Sequence, residues 1–436
     1  MSFLFGRCVP RQASHAQPSG LCWHMAVMMI ISMNMLIVTS LSSMAGAATL
    51  SELEKQGEYL TRAGNCVSCH TSADGLPFAG GLAFETSFGT IYSTNITVDQ
   101  DTGIGQWSLD EFSRAMRQGE RPDGEHLYPV FPYTSFTKVR DEDIAAIYAY
   151  LKTVAPVQSS PPDNDLGFPY NQRWALGLWK SLFFDPNQFE QQPAESVQWN
   201  RGAYLVEGLG HCGECHTPRN LLGAKNSDLA MTGATYMERM DGKLSAWSAP
   251  NLTSASTGLR MWSNEDIADY LKLGVSHRAG VFGPMNEVIV NSTRHLSSED
   301  VDAMTVYLKS LPANSQAGDK PATDDVLRAG SLQYDIHCGT CHLPTGEGSP
   351  ETGPPVLGSP VVLDRDPASL INITLHGPHL PKVAPSIAWQ SRTWKRMEPY
   401  ANKLSDKQAA ALLSYMRSAW GHEAGAVSEK QVATQR

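Results

Sequence analysis

The sequence predicts a mainly α-helical chain made of three tandem repeats, each a small domain. The pattern Cys-x-x-Cys-His occurs three times in the 436 residues, beginning at Cys66, Cys212 and Cys338. A short segment precedes each copy, and each repeat closes with an amphipathic segment that begins with acidic residues. Acidic side chains favour the first turn of a helix because they complement its dipole. Such recurrence predicts tandem units rather than one large domain.

The repeats are related beyond their motifs. Each motif follows a short segment that contains Gly and Leu, at 57–60, 202–205 and 329–332. Residues 94–97 match residues 250–253, and Trp107 matches Trp262, so the first two repeats are the closer pair. Each repeat ends in a predicted helix, at 141–151, 298–308 and 405–416.

The three Cys-x-x-Cys-His motifs predict covalent attachment of three haem groups. Two thiols at this spacing add to the haem vinyl groups, and the adjacent imidazole becomes an axial ligand of the iron. The predicted attachment residues are Cys66, Cys69, Cys212, Cys215, Cys338 and Cys341, and the predicted iron ligands are His70, His216 and His342. One copy alone could be a redox disulfide or half of a zinc site. Neither alternative requires His at the same place in all copies, so each repeat is predicted to be a cytochrome c-type domain with one haem.

The N-terminal residues have the order of a secretory signal. Residues 1–47 contain Arg7 and Arg11, no acidic residue, and an apolar run at 25–41 that is followed by Ala45-Gly46-Ala47. This order predicts a cleaved signal peptide and export from the cytoplasm, and the alternative is an uncleaved membrane anchor.

Polar and Pro-rich stretches mark the other boundaries, at 159–162 and 312–321. The predicted parts are a signal peptide at 1–47, cytochrome c domains at 48–165, 196–315 and 322–436, and an aromatic-rich linker or interfacial helix at 166–195. Within that linker Trp174, Leu178 and Leu182 share one helical face. The face is either buried against a neighbouring domain or seated on a membrane surface, where Trp and basic residues favour the headgroup region.

A methionine thioether is the usual sixth ligand of such a haem. Met285 precedes the closing helix of the second repeat, and Met397 precedes that of the third at a similar distance. We therefore predict that both ligate iron. The corresponding place in the first repeat is Phe131, which cannot bind iron, so the first haem is predicted to differ.

Two side chains remain as candidates for the first haem. Met116 is the only methionine of the first predicted domain, and His126 is its only histidine besides His70. Counting from the matched Trp residues, Met116 corresponds to Leu271, which is the argument for a packing role. Ligation by Met116 and a vacant or water-bound iron therefore both stay open, with His126 a weaker candidate.

Composition and motifs exclude several classes of function. The chain has 34 Lys and Arg residues against 44 Asp and Glu residues, and its formal net charge is -10. It has no clustered basic face, so nucleic-acid binding is not expected. No dinucleotide-binding glycine turn, P-loop or nucleophile elbow occurs, so a free-standing NAD enzyme or hydrolase has no support.

With these residues in view, the chain resembles the three-haem cytochrome c subunit of membrane-bound periplasmic dehydrogenases of acetic acid bacteria and their relatives. The resemblance covers the whole predicted mature chain. It rests on the three motifs and on residues 92–97, 210–219 and 415–421. It implies an electron-transfer subunit, peripherally attached at the periplasmic face of the membrane, that passes electrons from a large catalytic subunit to ubiquinone.

The loop at 128–133 helps to choose among the branches of this family. Its Tyr-Pro-Val-Phe-Pro-Tyr sequence resembles the branch that serves molybdopterin aldehyde dehydrogenases, as do residues 182–184 and 199–205. That branch implies a small iron-sulfur subunit as a further partner. The alternatives are a quinoprotein alcohol dehydrogenase, a flavoprotein sugar dehydrogenase, a soluble multihaem carrier, and a haem peroxidase that uses an open first iron.

Overall fold

The computed structural model describes residues 50–240, 242–316, 320–378 and 394–436. The predicted signal peptide at 1–47 lies outside these residues. The chain from Ser51 to Arg436 forms one compact unit. Within the described part, no helix combines the length and the apolar character needed to cross a membrane.

The first repeat begins with a long helix and ends with another. Its helices are α1 (Glu52–Ala63), α2 (Cys66–Cys69), α3 (Leu109–Gln118), α4 (Tyr133–Phe136) and α5 (Asp141–Leu151). Strands β1 (Ala83–Thr86), β2 (Gly89–Tyr92) and β3 (Asp165–Leu166) form a small antiparallel sheet in that order. Helix α6 (Ala175–Phe183) lies in the predicted linker.

The second repeat follows the same plan. It contains α7 (Val197–Tyr204), a π-helical turn at Leu205–Leu209, α8 (Gly213–His216), α9 (Asn264–Leu273), α10 (Met285–Asn291) and α11 (Ser298–Ser310). Strands β4 (Ala234–Met240) and β5 (Lys243–Ala249) form an antiparallel hairpin in the register Ala234 to Ala249.

The third repeat has α12 (Asp324–His337), α13 (Gly339–His342), α14 (Pro360–Leu363), α15 (Ala368–His376), α16 (Asp406–Met416) and α17 (Glu429–Gln435). The predicted closing helices thus occur at their expected places, as α5, α11 and α16. Acidic residues occupy the first turn of each, as the sequence indicates.

In every repeat the opening helix crosses the closing helix at a glycine. A Cβ atom on Gly57 would overlap the carbonyl oxygen of Ala146, which lies on α5. The same overlap pairs Gly202 with Ala303 and Gly330 with Ala411. Only a residue without Cβ allows the two backbones to approach this closely. The glycines at 57, 202 and 330 are therefore equivalent positions, from which the opening helices of the three repeats can be aligned.

The hairpin of β4 and β5 was not predicted. The side chains of β4 alternate in exposure, whereas β5 runs from the exposed Lys243 into the core, with Trp247 fully buried. The sequence carried two local signals for it, namely the alternation of polar and apolar residues and the Asp241-Gly242 pair. The strong helical pattern elsewhere obscured these signals.

The first two repeats share one hydrophobic core, which contains Leu60 and Ile147 of the first and Leu205 and Val301 of the second. The third repeat has a separate core around Tyr334 and the buried face of α16. Hydrogen bonds connect this repeat to the second one. Ser369 Oγ accepts from the Ser248 backbone N–H at 2.9 Å and donates to the Ser248 carbonyl at 2.8 Å.

A reciprocal pair of tyrosine-aspartate hydrogen bonds joins the first two repeats. Tyr59 Oη donates to Asp300 Oδ2 of the second repeat at 2.6 Å, and Tyr204 Oη donates to Asp143 Oδ2 of the first at 2.5 Å. Each tyrosine stands two residues after the crossing glycine of its own repeat, and each aspartate lies in the first turn of the partner's closing helix. The interface therefore has approximate two-fold symmetry within one chain.

The same interface holds charged groups out of water. Arg201 binds Asp300 through two hydrogen bonds of 2.7 Å, whereas Asp143 accepts from Gln56 at 3.0 Å. Burial alone would raise the pKa of Asp300, but the hydrogen bonds from Arg201 and Tyr59 outweigh it and hold that pKa below its usual value. Asp300 thus remains ionised at neutral pH, and Tyr59 is a permanent donor to it.

We predict that Tyr204→Phe destabilises the chain by about 1.5–3 kcal/mol, the range for a lost hydrogen bond to a charged group. Tyr59→Phe should cost less, because Asp300 keeps both hydrogen bonds from Arg201. Denaturant unfolding measures both effects. The matched control is Tyr150→Phe on α5, whose hydroxyl makes no hydrogen bond to the described residues. Equal stability of Tyr204→Phe and this control would contradict the proposed role of the interface.

Candidate functional site

The three Cys-x-x-Cys-His motifs adopt the same local structure. Each forms one short helical turn directly after the opening helix of its repeat, as α2, α8 and α13. Among the described residues, none of the six motif cysteines forms a disulfide. The motifs therefore present paired thiols, as covalent attachment of a haem requires.

A hydrogen bond to a backbone carbonyl orients each motif histidine. The Nδ1 atom lies 2.6 Å from the Thr94 oxygen for His70, 2.7 Å from the Pro250 oxygen for His216, and 2.7 Å from the Pro354 oxygen for His342. A carbonyl only accepts, so Nδ1 carries the proton and Nε2 keeps its lone pair. No described residue forms a hydrogen bond to Nε2 of these three rings. A carbonyl partner of this kind fixes the tautomer of a metal-binding imidazole.

The matched segments at 94–97 and 250–253 supply two of these carbonyls. Asn95 and Asn251 hold the segments in place, since each side-chain oxygen accepts from the backbone N–H two residues on, in Thr97 and Thr253. The third partner, Pro354, was missed by sequence reasoning. The only signal for it was the Gly-Pro-Pro sequence at 353–355.

Burial shifts the pKa of five of the motif cysteines and of the motif histidines towards their neutral forms. Burial raises the pKa of Cys66, Cys69, Cys212 and Cys338 to about 12 and that of Cys215 to about 11. Burial also lowers the pKa of the three motif histidines, against the opposing effect of the carbonyl hydrogen bond. Across the described ranges, no three His, Cys, Asp or Glu side chains cluster as a metal-binding group.

The motif of each of the first two repeats also contacts a helix of the other repeat. Ser135 Oγ on α4 donates to Glu214 Oε1 inside the second motif at 2.7 Å. In the reverse direction, Asn291 Nδ2 at the end of α10 donates to Ser68 Oγ inside the first motif at 2.8 Å. Ser68 and Glu214 both stand directly before the second cysteine of their motifs. The pseudo-two-fold relation therefore extends to the candidate sites.

Glu214 was not foreseen as a structural residue of the site. Its oxygens accept from Lys225 at 2.6 Å and from Arg219 at 2.5 Å. Burial alone would raise the pKa of Glu214, but Lys225, Arg219 and Ser135 lower it to about 2. The ionised carboxylate thus ties the second motif to α4 of the first repeat.

Met285 is the first residue of α10 and is half-buried against the shared core. Gly283, two residues earlier, has a φ of 53°, and its Cα presses on the Trp247 ring of the hairpin. Met397 is also half-buried, and it lies near the start of the described range 394–436. Its carbonyl lies beside Gly377, at the end of α15. The loops that carry both methionines are thus anchored by packing in their own repeats.

Met116 and Leu271 occupy equivalent places in the first two repeats. Helices α3 and α9 both begin with a capping box, from Ser108 and Ser263, and both end at a left-handed glycine. Met116 is 5% exposed and Leu271 is 8% exposed, and both belong to the shared core. This equivalence supports a packing role for Met116.

The other two side chains of interest in the first repeat have clear neighbours. Phe131 packs edge-on against Phe136, with ring centroids 5.5 Å apart. His126 Nδ1 lies 3.0 Å from Lys180 Nζ and 3.8 Å from a Glu120 oxygen. Burial and the charge of Lys180 lower the pKa of His126. Its ring is thus engaged in a polar cluster beneath α6.

The predicted linker helix leaves its apolar side in contact with solvent. Trp174 is 75% exposed, and Leu178 and Leu182 are also exposed. Trp179 Nε1 donates to the Leu222 carbonyl at 2.8 Å, which ties α6 to a loop that carries the exposed Leu221. Burial of this face by the described residues, one of the two interpretations of the sequence, is therefore not observed.

Comparison with known proteins agrees with these features. A family model described as cytochrome c matches residues 54–155 and 327–420, in the first and third repeats. The gluconate 2-dehydrogenase cytochrome c subunit of Pantoea cypripedii is 38% identical over 413 residues, which cover 91% of this chain and 92% of that one. The quinone alcohol dehydrogenase cytochrome c subunit of Gluconobacter oxydans is 38% identical over 397 residues, 87% of this chain and 81% of that one.

A third relative is shorter. A diheme cytochrome c-type protein of Cereibacter sphaeroides is 39% identical over 263 residues, which cover 59% of this chain and 86% of that protein. The two longer relatives are subunits of multi-subunit dehydrogenases, and each is matched over most of its length. The helical fold, the haem-attachment motifs and these similarities together place the chain in the family of dehydrogenase cytochrome c subunits.

Proposed function

We propose that this chain relays electrons through three c-type haems, from the catalytic subunit of a membrane-bound periplasmic dehydrogenase to ubiquinone. The electron-transfer role and the presence of a catalytic partner follow from family membership. The observation that carries the proposal is the threefold recurrence of a cysteine pair beside a histidine whose Nδ1 donates to a backbone carbonyl.

The residues of each repeat have separate roles in this proposal. The six motif cysteines form the thioether attachments, and His70, His216 and His342 ligate iron through Nε2. The bound haem supplies one-electron oxidation and reduction. The carbonyls of Thr94, Pro250 and Pro354 hold the imidazoles in one orientation, and the helix pairs exclude water from the sites. No residue of this chain is assigned a bond to substrate.

Met285 and Met397 are proposed as the sixth ligands of the second and third haems, whereas Met116, the sequence candidate for the first haem, is proposed to have a packing role. Thioether ligation raises the reduction potential of a haem. A first haem without it would differ in potential from the other two. This difference distinguishes the relay from a chain of three identical carriers.

The favoured catalytic partner is a molybdopterin aldehyde dehydrogenase with a small iron-sulfur subunit, as the loop at 128–133 suggests. The alternative is a quinoprotein alcohol dehydrogenase or flavoprotein sugar dehydrogenase, and the relatives include subunits of alcohol and gluconate dehydrogenases. The two proposals differ in the cofactor of the large subunit.

Attachment at the membrane surface is proposed through the apolar face of α6, formed by Trp174, Leu178 and Leu182. These side chains and Phe168 are exposed. Trp, with an apolar ring and one N–H donor, suits the headgroup region of a bilayer. Membrane fractionation distinguishes this arrangement from a soluble multihaem carrier, which would stay in the aqueous fraction after cell lysis.

Affinity purification of the tagged chain from its own host tests the partner. We expect a large dehydrogenase subunit to copurify from membranes, and analysis of its cofactor to report molybdopterin. A quinoprotein or flavoprotein partner would replace the favoured assignment by the alternative. Purification of the chain alone, with peroxide turnover at the first haem, would favour the peroxidase instead.

We predict three covalently bound haems per chain. A pyridine haemochrome assay scaled to protein should give about three, one for each Cys-x-x-Cys-His motif. A thiol assay on the denatured mature protein should detect essentially no free cysteine. A clear value of two haems would remove one repeat from the relay.

We predict that Met285→Leu and Met397→Leu each abolish the sulfur-to-iron charge-transfer band of one haem and lower its reduction potential. Leucine is close in volume, so each change should cost less than about 1.5 kcal/mol of stability. The control is Met304→Leu, a change in the buried face of α11. If Met285→Leu or Met397→Leu leaves the spectrum as Met304→Leu does, the wrong methionine has been assigned.

Met116→Leu separates ligation from packing at the first haem. Because Leu271 fills the equivalent place in the second repeat, we expect an unchanged spectrum and a stability cost under about 1.5 kcal/mol. Conversion of one haem of three to high spin would instead establish Met116 as its ligand. The spin states are measured by absorption and electron paramagnetic resonance spectroscopy.

A further inference from the structure

The third repeat exposes the face that the first two repeats use to bind each other. Counted from the crossing glycine, the interface tyrosines at 59 and 204 correspond to Leu332 of the third repeat. Leu332 is 58% exposed, whereas Tyr204 is fully buried. The surface of the opening helix that is covered in the first two repeats is therefore exposed in the third.

At two further positions, residues that make contacts between the first two repeats have exposed equivalents in the third. Ala63 accepts a hydrogen bond from Ser292 of the second repeat through its carbonyl, and Gly208 packs on Lys138 of the first. Their equivalent in the third repeat is Ile336, which is 59% exposed. The motif residues Ser68 and Glu214, which bind the opposite repeat, correspond to Thr340, and that residue is exposed too.

The aspartate of the tyrosine-aspartate interface is also replaced in the third repeat. The residue three positions before the crossing-helix alanine is Asp143 in the first repeat and Asp300 in the second, but it is Gln408 in the third. Gln408 is committed to the capping box of its own helix, where its Oε1 accepts from Ser405. If another domain of the same kind docked on the third repeat, its interface tyrosine would therefore have no aspartate to donate a hydrogen bond to.

From these observations we propose that Leu332, Ile336 and Thr340 form the docking surface for the catalytic dehydrogenase subunit. The inference rests on the proposed function, which supplies such a partner. The surface has two large apolar side chains one helical turn apart on α12, and it ends at the third Cys-x-x-Cys-His motif. A protein seated there would lie against the third haem, as the first two repeats lie against each other's motifs.

Charge favours a different protein over a second copy of this chain. Around the apolar pair, α12 carries Asp324, Asp325 and Asp335 against the single cation Arg328, which pairs with Asp325. Two copies related by a two-fold axis would bring like acidic rims together, and the whole chain has a net charge of -10. The expected partner surface is therefore apolar at its centre with basic residues at its rim.

The test uses the tagged full chain with all its haems, purified from its own host as the double variant Leu332→Ser, Ile336→Ser. The matched control is Leu53→Ser, Leu76→Ser, because both leucines are exposed apolar residues of the first repeat. We expect the recovery of the large dehydrogenase subunit per chain to fall at least tenfold in the variant and to stay unchanged in the control. Haem content and the visible spectrum should be the same in both.

Equal recovery of the large subunit by variant and control would overturn the docking surface and leave the proposed function intact. A wild-type chain that recovers no dehydrogenase subunit would overturn both. Light scattering of the isolated chain examines self-association, and a wild-type dimer made monomeric by the variant would assign the surface to a second copy. Loss of binding to phosphatidylglycerol vesicles, with unchanged recovery of the subunit, would assign it to the membrane.

Discussion

The close crossing of an opening and a closing helix at a glycine is the constraint on which the rest of the chain depends. It occurs three times, and in each case the opening helix leads within a few residues into the Cys-x-x-Cys-His turn. A side chain at Gly57, Gly202 or Gly330 would push the helices apart and move the motif with them. The glycine crossings thus hold each motif close to its closing helix, and the carbonyls of Thr94, Pro250 and Pro354 then orient the imidazoles.

Equivalent positions in the repeats carry different chemistry, and these differences define what each repeat does. The first two have tyrosine and aspartate where they meet, and they share one apolar core. The third has leucine and glutamine at the same places and a core of its own. Phe131 is predicted to mark the first repeat in a similar way, because Met285 and Met397 are the predicted ligands of the other two. The chain is therefore a symmetric pair with a third unit added, and not three equal links.

Local signals made much of this predictable from the sequence. The closing helices could be located because acidic first turns and helical periodicity are features of neighbouring residues. The motif residues could be predicted because the Cys-x-x-Cys-His spacing is typical of haem attachment. The tyrosine-aspartate hydrogen bonds between the repeats could not be predicted, because Tyr59 and Asp300 are 241 residues apart and no local pattern links them. The carbonyl of Pro354 was missed for a related reason, because the type of a residue does not show which group its backbone carbonyl will contact.

The polar contact between the second and third repeats has a consequence for how such chains evolve. The link at Ser248 and Ser369 consists of hydroxyl and backbone groups, which water can satisfy equally well when they are separated. Removal of the third repeat would therefore leave the shared core of the first two repeats intact. The shorter diheme relative, which aligns over 263 residues, is a protein of the length that this modularity permits. Loss of the first or second repeat would instead cut through a common core, so addition and removal at the C-terminal end is the change that selection can tolerate.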